Sequence, residues 1–333
     1  MRGFSVPAVS DETGDANLTD AIYRLGEQEP GTALFAVAGD DDWQDVTAGE
    51  ALARIRVLAG GLITAGVEPG QRVALMSGTR LEWTLCDYAV ASVGAVIVPI
   101  YETSSAEQVA WILSDSEAVA AICETDHHAA TIAAVRAEAP DLGPVWQIDN
   151  GGLDDLARSG ADVEPAVIDK RRATLTRSSL ATVIYTSGTT GRPKGCRLTH
   201  GNCLSDLNAI VPNLAELFGP EGSTLLFLPL AHVFARAVQI ACVSSRTKMA
   251  YCRDTKRLVS ELQTFRPTFL LSVPRVFEKV YNSAKQQAGG SPATARIFAL
   301  AESTAVAWSR ATTDQAGPSP LLRARHALFD QLV

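Results

Sequence analysis

Short, almost entirely apolar runs alternate with amphipathic segments along this chain, and that alternation most constrains the fold. Residues 72–76 and 118–123 are apolar runs of strand length. Thr47–Glu50 and Ser105–Gln108 both match the capping-box pattern that opens a helix, and each precedes a helical spacing of apolar residues. Near-continuous apolar strands separated by helices are typical of parallel sheets. The sequence therefore predicts an α/β fold of layered sheets and helices.

The same reasoning predicts most of the remaining elements. We expect residues 148–177, which are polar and rich in Gly and Asp, to connect a first lobe to the rest. Pro at a first helical position and Gly-Pro pairs beyond a helix mark boundaries near residues 292 and 317. The further predicted strands are Ala95–Val98 (ended by Pro99), Ala181–Tyr185, Leu225–Leu228 and Thr268–Ser272. The further predicted helices cover about residues 80–93 and Leu321–Val333, and two more helices begin near Thr199–Asn202 and at Pro292.

Composition limits the classes of function. The chain is 47% hydrophobic and 20% charged, which is typical of a globular domain. Its net charge of −8 and its lack of a basic stripe argue against a nucleic-acid partner. No apolar run approaches the roughly 20 residues of a spanning helix, and no signal peptide is visible. Six cysteines without C-x-x-C pairing predict a reducing, cytoplasmic compartment and no zinc site.

The segment Tyr185–Gly195 carries the strongest chemical signal. It contains three glycines, one lysine and four Ser or Thr residues at the end of a predicted strand. Glycines let backbone N–H groups approach an anion, hydroxyls donate to phosphate oxygens or bind Mg²⁺, and an ammonium group neutralises phosphate charge. The pattern therefore predicts a site for a polyphosphate.

This segment is not a Walker A loop. That loop has four residues between its first Gly and the Gly-Lys pair, with Ser or Thr after the Lys. Here two residues separate Gly188 from Gly191, and Gly195 follows Lys194. The alternative is a polar surface loop that binds no ligand. The length of the segment Tyr185–Gly195 favours phosphate binding over this alternative.

Tyr185–Gly195 resembles the phosphate-binding signature of the adenylate-forming superfamily, which includes acyl-CoA synthetases, adenylation domains and luciferases. Phe227–Arg236 resembles the second block of that superfamily, whose Pro-Leu-x-His segment lies beside the acyl site. Val98–Ser105 and Leu271–Tyr281 resemble bacterial long-chain fatty acid–CoA ligases, notably actinobacterial ones. The resemblance covers the chain from Trp43 onward.

The resemblance implies activation of a long-chain fatty acid to acyl-AMP and then acyl-CoA, with ATP, Mg²⁺ and coenzyme A. Lys194 and His232 would be catalytic, and Thr186 would bind Mg²⁺. For His232 the alternative is a core histidine satisfied by a backbone partner. The acyl site would be lined by His232, Val233 and Phe234, and ATP would be held by Tyr185, Thr186, Ser187, Gly188, Thr189, Thr190, Gly191 and Lys194.

Several blocks of that superfamily do not occur in this sequence. They are a Tyr-Gly-x-Thr-Glu block that completes the Mg²⁺ site, a downstream Thr-Gly-Asp that holds the ribose, and a small C-terminal domain; the match at Thr13–Asp15 is a chance one. We expect a loose lead-in over residues 1–17, and then a partial large domain over 18–333 that makes no acyl-CoA alone and self-associates.

Two alternatives to the ligase remain open at this stage. One is an adenylation domain that loads a carrier protein, and the other is a non-catalytic nucleotide-binding remnant. The expected partners are a fatty acid and CoA, with no nucleic acid and no transmembrane segment. Peripheral membrane contact and a homo-oligomer are left open.

Overall fold

The computed structural model describes residues 16–39, 42–186, 192–313 and 317–330. The chain divides after residue 271 into two compact units. The first unit carries every strand that the structure describes, together with the helices before residue 271. The described residues of the second unit form three helices.

The strands of the first unit form two sheets. The strands are β1 (Ala33–Ala38), β2 (Trp43–Thr47), β3 (Arg72–Met76), β4 (Val96–Ile100), β5 (Ala118–Cys123), β6 (Val145–Gln147), β7 (Leu180–Thr186), β8 (Lys194–Thr199), β9 (Ser223–Leu226) and β10 (Lys248–Tyr251). The larger sheet has the order β6-β5-β3-β4-β7-β8 and is parallel except for β8, which runs antiparallel to β7. The smaller sheet has the order β2-β1-β10-β9, with β2 antiparallel to β1.

Helices connect and cover these strands. In the first unit they are α1 (Asp20–Gln28), α2 (Ala48–Thr64), α3 (Leu81–Ser92), α4 (Ala106–Asp115), α5 (Asp126–Ala134), α6 (Gly152–Ser159), α7 (Pro165–Arg172), α8 (His200–Asn213), α9 (Val233–Ser245) and α10 (Leu258–Phe265). In the second unit they are α11 (Pro274–Ala288), α12 (Pro292–Thr313) and α13 (Pro320–Asp330).

One face of the larger sheet packs against α4. Alternate strand residues point to this face, as the two-residue period of a strand requires. They include Met76 of β3, Val98 of β4 and Cys123 of β5, each at most 1% exposed. Val109 and Leu113 of α4 close the same core. This packing fixes α4 across the strands that lead to β7.

Several elements confirm the sequence predictions. Both capping boxes form, with Thr47 and Ser105 each accepting from the backbone N–H three residues later. β3 and β5 have the predicted bounds, β7 exceeds the predicted strand by one residue at each end, and α12 begins at Pro292 as predicted.

The prediction that Pro99 ends its strand was wrong, because β4 continues through Pro99 to Ile100. β4 pairs with β3 along its whole length, whereas its pairing with β7 is at Ile97 and Thr182, before the proline. A proline beyond that pair can therefore be accommodated without losing a ladder bond.

The predicted connection over residues 148–177 contains helices that the sequence did not predict. This stretch forms α6 and α7, and α6 crosses α2 at very short range. A Cβ at Gly160 would lie 2.1 Å from the backbone nitrogen of Gly61, and one at Gly61 would lie 2.1 Å from the carbonyl oxygen of Leu156. Glycines at the crossing let the two backbones touch.

Residues 268–272 do not form the predicted strand. Phe269 makes an isolated bridge to Thr224, and Pro267 and Pro274 bound the segment on either side. The strand predicted at 225–228 lies two residues earlier, as β9. The sequence analysis did not predict β1, the edge strands β2 and β8, or the short strands β6 and β10.

Candidate functional site

The segment 185–195 spans a β-hairpin at the carboxyl end of β7. Thr186, the last residue of β7, pairs with Lys194, the first residue of β8, and Tyr185 pairs with Gly195. Residues opposite each other in an antiparallel pair lie on the same face, with Cβ atoms about 5 Å apart. The structure thus brings the proposed metal ligand and the proposed phosphate-binding lysine together. Five predicted site residues lie outside the described residues: Ser187, Gly188, Thr189, Thr190 and Gly191.

The two faces of β7 have different surroundings. Thr182 and Ile184, with Leu198 of β8, line a narrow apolar cleft of about 40 Å³ that α8 and α9 complete. Val233, at the start of α9, lines the same cleft. Thr186 and Lys194 occupy alternate positions along the same strands, so their side chains lie on the same face as the cleft residues. A predicted acyl-site residue and the predicted phosphate-site pair therefore share one side of the hairpin.

Lys194 and Thr186 are both exposed at the hairpin mouth. The Lys194 ammonium is a point charge of the kind that pairs with phosphate oxygens. Thr186 offers one hydroxyl oxygen, and Mg²⁺ usually takes few protein ligands and completes its shell with water and substrate phosphates. The residues present therefore fit a magnesium-bound polyphosphate.

Tyr185 points to the opposite face of β7. Its side chain is 6% exposed, and its hydroxyl donates to Asp115 Oδ2 at 2.6 Å. Burial, and next the hydrogen bond to the Asp115 carboxylate, raise the pKa of this phenol. The Tyr185 hydroxyl therefore contacts α4 and lies on the opposite side of β7 from Thr186.

His232 is the N-cap residue of α9 and is exposed. Its backbone N–H donates to the Pro229 carbonyl at 2.9 Å, and the preceding segment is held where Thr79 Oγ1 donates to the Leu228 carbonyl at 2.8 Å. The alternative of a buried core histidine does not describe it. Val233 is 40% exposed and Phe234 46% exposed, so all three predicted acyl-site residues are accessible to solvent.

A buried ion pair, which the sequence did not reveal, fixes α9. Arg236 forms a bidentate pair with Asp87 of α3, at 2.9 and 2.7 Å, and Gln239 donates to the same carboxylate. Burial, the largest single influence, would lower the pKa of Arg236, but the charge of Asp87, its hydrogen bond and smaller contributions from Cys203 and Tyr88 together raise the pKa. Removing one partner of such a pair is costly because the other charge stays buried. The pair therefore locks the orientation of the helix that starts at Val233.

A second polar network joins the carboxyl ends of the two sheets. Glu124, directly after β5, accepts hydrogen bonds from the Gly78 N–H at 2.7 Å and from Arg253 after β10 at 2.5 Å. Arg80 also donates to Glu124, at 3.1 Å. Burial opposes ionisation of Glu124, but these donors prevail and lower its pKa. No sequence signal connects these residues, which are up to 175 positions apart by their numbers (253 − 78).

A wider cleft of about 660 Å³ lies on the opposite face of the β7–β8 pair, where Val183, Tyr185 and Gly195 line one part of it. It follows the amino ends of β3, β4 and β7, with Arg72, Val96 and Leu180 in its lining. Ligands of open parallel sheets bind at the carboxyl ends of the strands. The hairpin mouth is therefore the better candidate site, although the cleft beside it is smaller.

The comparison with known families identifies the class of protein. A family model described as AMP-binding enzyme matches residues 25–320. The chain belongs to that family, and the layered α/β fold and the hairpin at the end of β7 are consistent with it.

A comparison with individual proteins shows a more specific similarity. Over 336 aligned positions the chain is 46% identical to the long-chain-fatty-acid–CoA ligase FadD15 of Mycobacterium tuberculosis, covering 100% of this chain and 56% of that protein. The chain thus spans a little over half the length of this relative.

Solved structures share the fold. The inhibitor-bound N-terminal domain of FACL13 from Mycobacterium tuberculosis superposes with a TM-score of 0.69 at 25% identity, covering 84% of this chain and 67% of that one. A long-chain-fatty-acid CoA ligase from Rhodopseudomonas palustris gives a TM-score of 0.69 at 23% identity, covering 85% and 68%. Within the residues that the structure describes, no helix is both long and apolar enough to cross a bilayer.

Proposed function

We propose that the protein carrying this chain is an ATP-dependent long-chain fatty acid–CoA ligase. One observation carries the proposal: Thr186 and Lys194 face each other at the hairpin mouth, on the side of β7 whose apolar cleft contains Val233. A lysine and a hydroxyl on the side of β7 that also presents apolar side chains suit a substrate with an ionic and a hydrocarbon end. The name of the FadD15 relative supports the same substrate class.

The proposed reaction has two halves. A fatty carboxylate attacks the α-phosphorus of ATP, the bond to the β-phosphate oxygen breaks, and acyl-AMP and pyrophosphate form. The thiol of CoA then attacks the acyl carbon and AMP leaves. Bound Mg²⁺ would neutralise charge that develops on the phosphates.

Each site residue has a role in this proposal. The Lys194 ammonium stabilises charge on the phosphates, and the Thr186 hydroxyl holds the metal ion. Ser187, Gly188, Thr189, Thr190 and Gly191 supply hydroxyl and backbone donors. His232 stands where the carboxylate meets the phosphate, and Val233 and Phe234 contact the chain beyond it.

The proposal includes the domain organisation, the compartment and the partners of the protein. Residues 18–333 form part of the large domain of an adenylate-forming enzyme that follows a lead-in over residues 1–17. The protein acts in the cytoplasm on a free fatty acid and CoA, without a nucleic-acid partner. Peripheral contact with a membrane and self-association are compatible with it.

The experiment supplies ATP, Mg²⁺, palmitate and CoA to the protein carrying this chain and follows AMP and palmitoyl-CoA. The ligase produces both in equal amounts, and palmitoyl-CoA formation stops when CoA is omitted. Transfer to a carrier protein but not to CoA would favour the adenylation domain instead. ATP binding without AMP release would favour a non-catalytic nucleotide-binding protein.

A further inference from the structure

Helix α4 contacts the β7–β8 hairpin on both sides of residues 187–191. Asp115 accepts a hydrogen bond from Tyr185, two residues before that segment. Trp111 contacts Arg192 and Pro193, the two residues directly after it. Since Trp111 and Asp115 are four residues apart, they lie on one face of α4. One rigid helix face thus holds both ends of the segment proposed to bind phosphate.

The contact after the segment uses both parts of the indole. Trp111 Nε1 donates to the Pro193 carbonyl at 2.8 Å, and the Arg192 guanidinium lies over the ring, 4.8 Å from its centroid. The ring itself is partly buried against the core beneath α4. A tryptophan held by the core therefore fixes the backbone at Pro193.

The contact before the segment uses an aspartate at an electrostatically unfavourable position. Asp115 is the last residue of α4, where the helix macrodipole disfavours a negative charge. Its carboxylate is exposed to solvent but accepts the hydroxyl of the buried Tyr185. The hydrogen bond gives a reason for an acid at this helix end.

Gly195 keeps the path between Tyr185 and Asp115 open. The Tyr185 ring lies over Gly195, so that a Cβ at residue 195 would be 3.1 Å from Tyr185 Cζ and 2.8 Å from Val183 Cγ1. A side chain there would push the phenol away from α4. The glycine after Lys194 therefore serves the anchoring of the hairpin.

We propose that Trp111 and Asp115 are positioning residues that hold the two ends of the phosphate-binding segment at a fixed spacing. This inference rests on the proposed function. Preorganised donors bind and stabilise an anion better than donors that must first be ordered. Loosening either end therefore weakens ATP binding although neither side chain contacts ATP.

The test uses two disruptive variants and two matched controls in the protein carrying this chain. Trp111→Phe keeps a ring beneath Arg192 but loses the N–H donor, and Asp115→Ala loses the acceptor. Asp115→Asn keeps an oxygen acceptor for Tyr185. Trp43→Phe loses an indole hydrogen bond of the same kind, from Nε1 to Thr264 Oγ1 at 3.1 Å, in the other sheet.

Two quantities are measured: amide hydrogen exchange of peptides covering residues 180–199 without nucleotide, and the dissociation constant of ATP with Mg²⁺. Trp111→Phe and Asp115→Ala accelerate exchange in these peptides alone and raise the dissociation constant by about three- to tenfold, the effect of losing one hydrogen bond. Asp115→Asn and Trp43→Phe match the wild type in both measurements.

The two measurements distinguish a failure of the anchoring from a failure of its effect on ATP binding. Unchanged exchange in Trp111→Phe and Asp115→Ala shows that α4 does not anchor the hairpin. Faster exchange with an unchanged ATP dissociation constant shows that anchoring does not position the phosphate-binding segment, and overturns the proposal. A wild type that binds no ATP refutes the proposed function, while the exchange data still decide the anchoring.

Discussion

Neighbouring residues of the segment 185–194 divide between two surroundings because a strand turns successive side chains to opposite faces. Tyr185 is buried and donates to Asp115, whereas Thr186 is exposed and pairs across the hairpin with Lys194. Among the described residues of this motif, Tyr185 therefore lies on the face held by α4, and Thr186 and Lys194 lie on the exposed face. Composition of the string predicts phosphate binding, but only the strand pairing separates these two faces.

Val233 and Phe234 provide a prediction about the acyl chain. Both are exposed at the start of α9, and Val233 lines the apolar cleft beside β7. We expect Val233→Ala and Phe234→Ala to shift chain-length preference in kcat/KM by about tenfold or more, the scale of one to two methylene contacts, and to leave the KM for ATP unchanged. The comparable variant Val259→Ala, at a 45% exposed valine of α10, should change neither. A shift in the KM for ATP alone would contradict the acyl assignment.

His200 provides a prediction about stability and pH. The ring is 1% exposed and its Nδ1 accepts from the Leu18 N–H at 3.2 Å. Burial, and next the charge of Arg236, lower its pKa from 6.5 to about 4. Between these values the unfolded chain binds the proton first, so the stability present above pH 6.5 is lost as the pH falls toward 4.

The wild type should therefore lose about 2 kcal/mol of unfolding free energy through His200 between about pH 7.5 and pH 5. Glu124, whose pKa is lowered from 4.5, contributes only below that range. His200→Asn keeps an acceptor near the Nδ1 position and should remove this part of the pH dependence. Urea unfolding at the two pH values checks it, and equal slopes in both proteins would show that His200 does not titrate as described.

At the scale of elements, the parallel core of the larger sheet was predictable and its two edge strands were not. β3 and β5 are buried on both faces, so their sequences are apolar apart from Arg72 at the start of β3 and are easy to recognise. β8 begins with Lys194 and is exposed over its first four residues, which leaves no apolar pattern to detect. α6 and α7 each bury a single apolar residue of their own, Leu156 and Ile168, so a polar composition concealed two helices.

The crossing of α2 and α6 gives an element-scale prediction. Gly160→Ala would place a Cβ 2.1 Å from the Gly61 nitrogen and 2.4 Å from the Val57 carbonyl oxygen, so the helices must separate. We expect a loss of about 1–3 kcal/mol of unfolding free energy. Gly31→Ala, where no atom lies within 4 Å of the added Cβ, is the control and should change stability by less than about 0.5 kcal/mol. Equal stabilities in denaturant unfolding would rule out the close crossing.

At the scale of the whole chain, long-range polar contacts determine where the site segments lie. Arg236–Asp87, Glu124–Arg253 and Thr79–Leu228 each join elements that are far apart in sequence. Their partners cannot be inferred from local periodicity, because a polar residue in an apolar stretch does not indicate which distant residue satisfies it. The motifs therefore identified the chemistry of the site, whereas the structure was needed to show that the hairpin mouth and the start of α9 share one side of β7.

The most direct test of the account is palmitate-dependent exchange of pyrophosphate into ATP, measured for the protein carrying this chain and its Lys194→Ala variant. Lys194 faces Thr186 at the hairpin mouth and would stabilise charge on the phosphates. We expect exchange by the wild type to depend on palmitate, and the variant to lose about 2–4 kcal/mol of transition-state stabilisation, roughly a 30- to 1000-fold slower rate. Lys256→Ala, at another exposed lysine, should exchange at the wild-type rate. An unchanged rate in Lys194→Ala, or no palmitate dependence in the wild type, would contradict acyl activation at this hairpin.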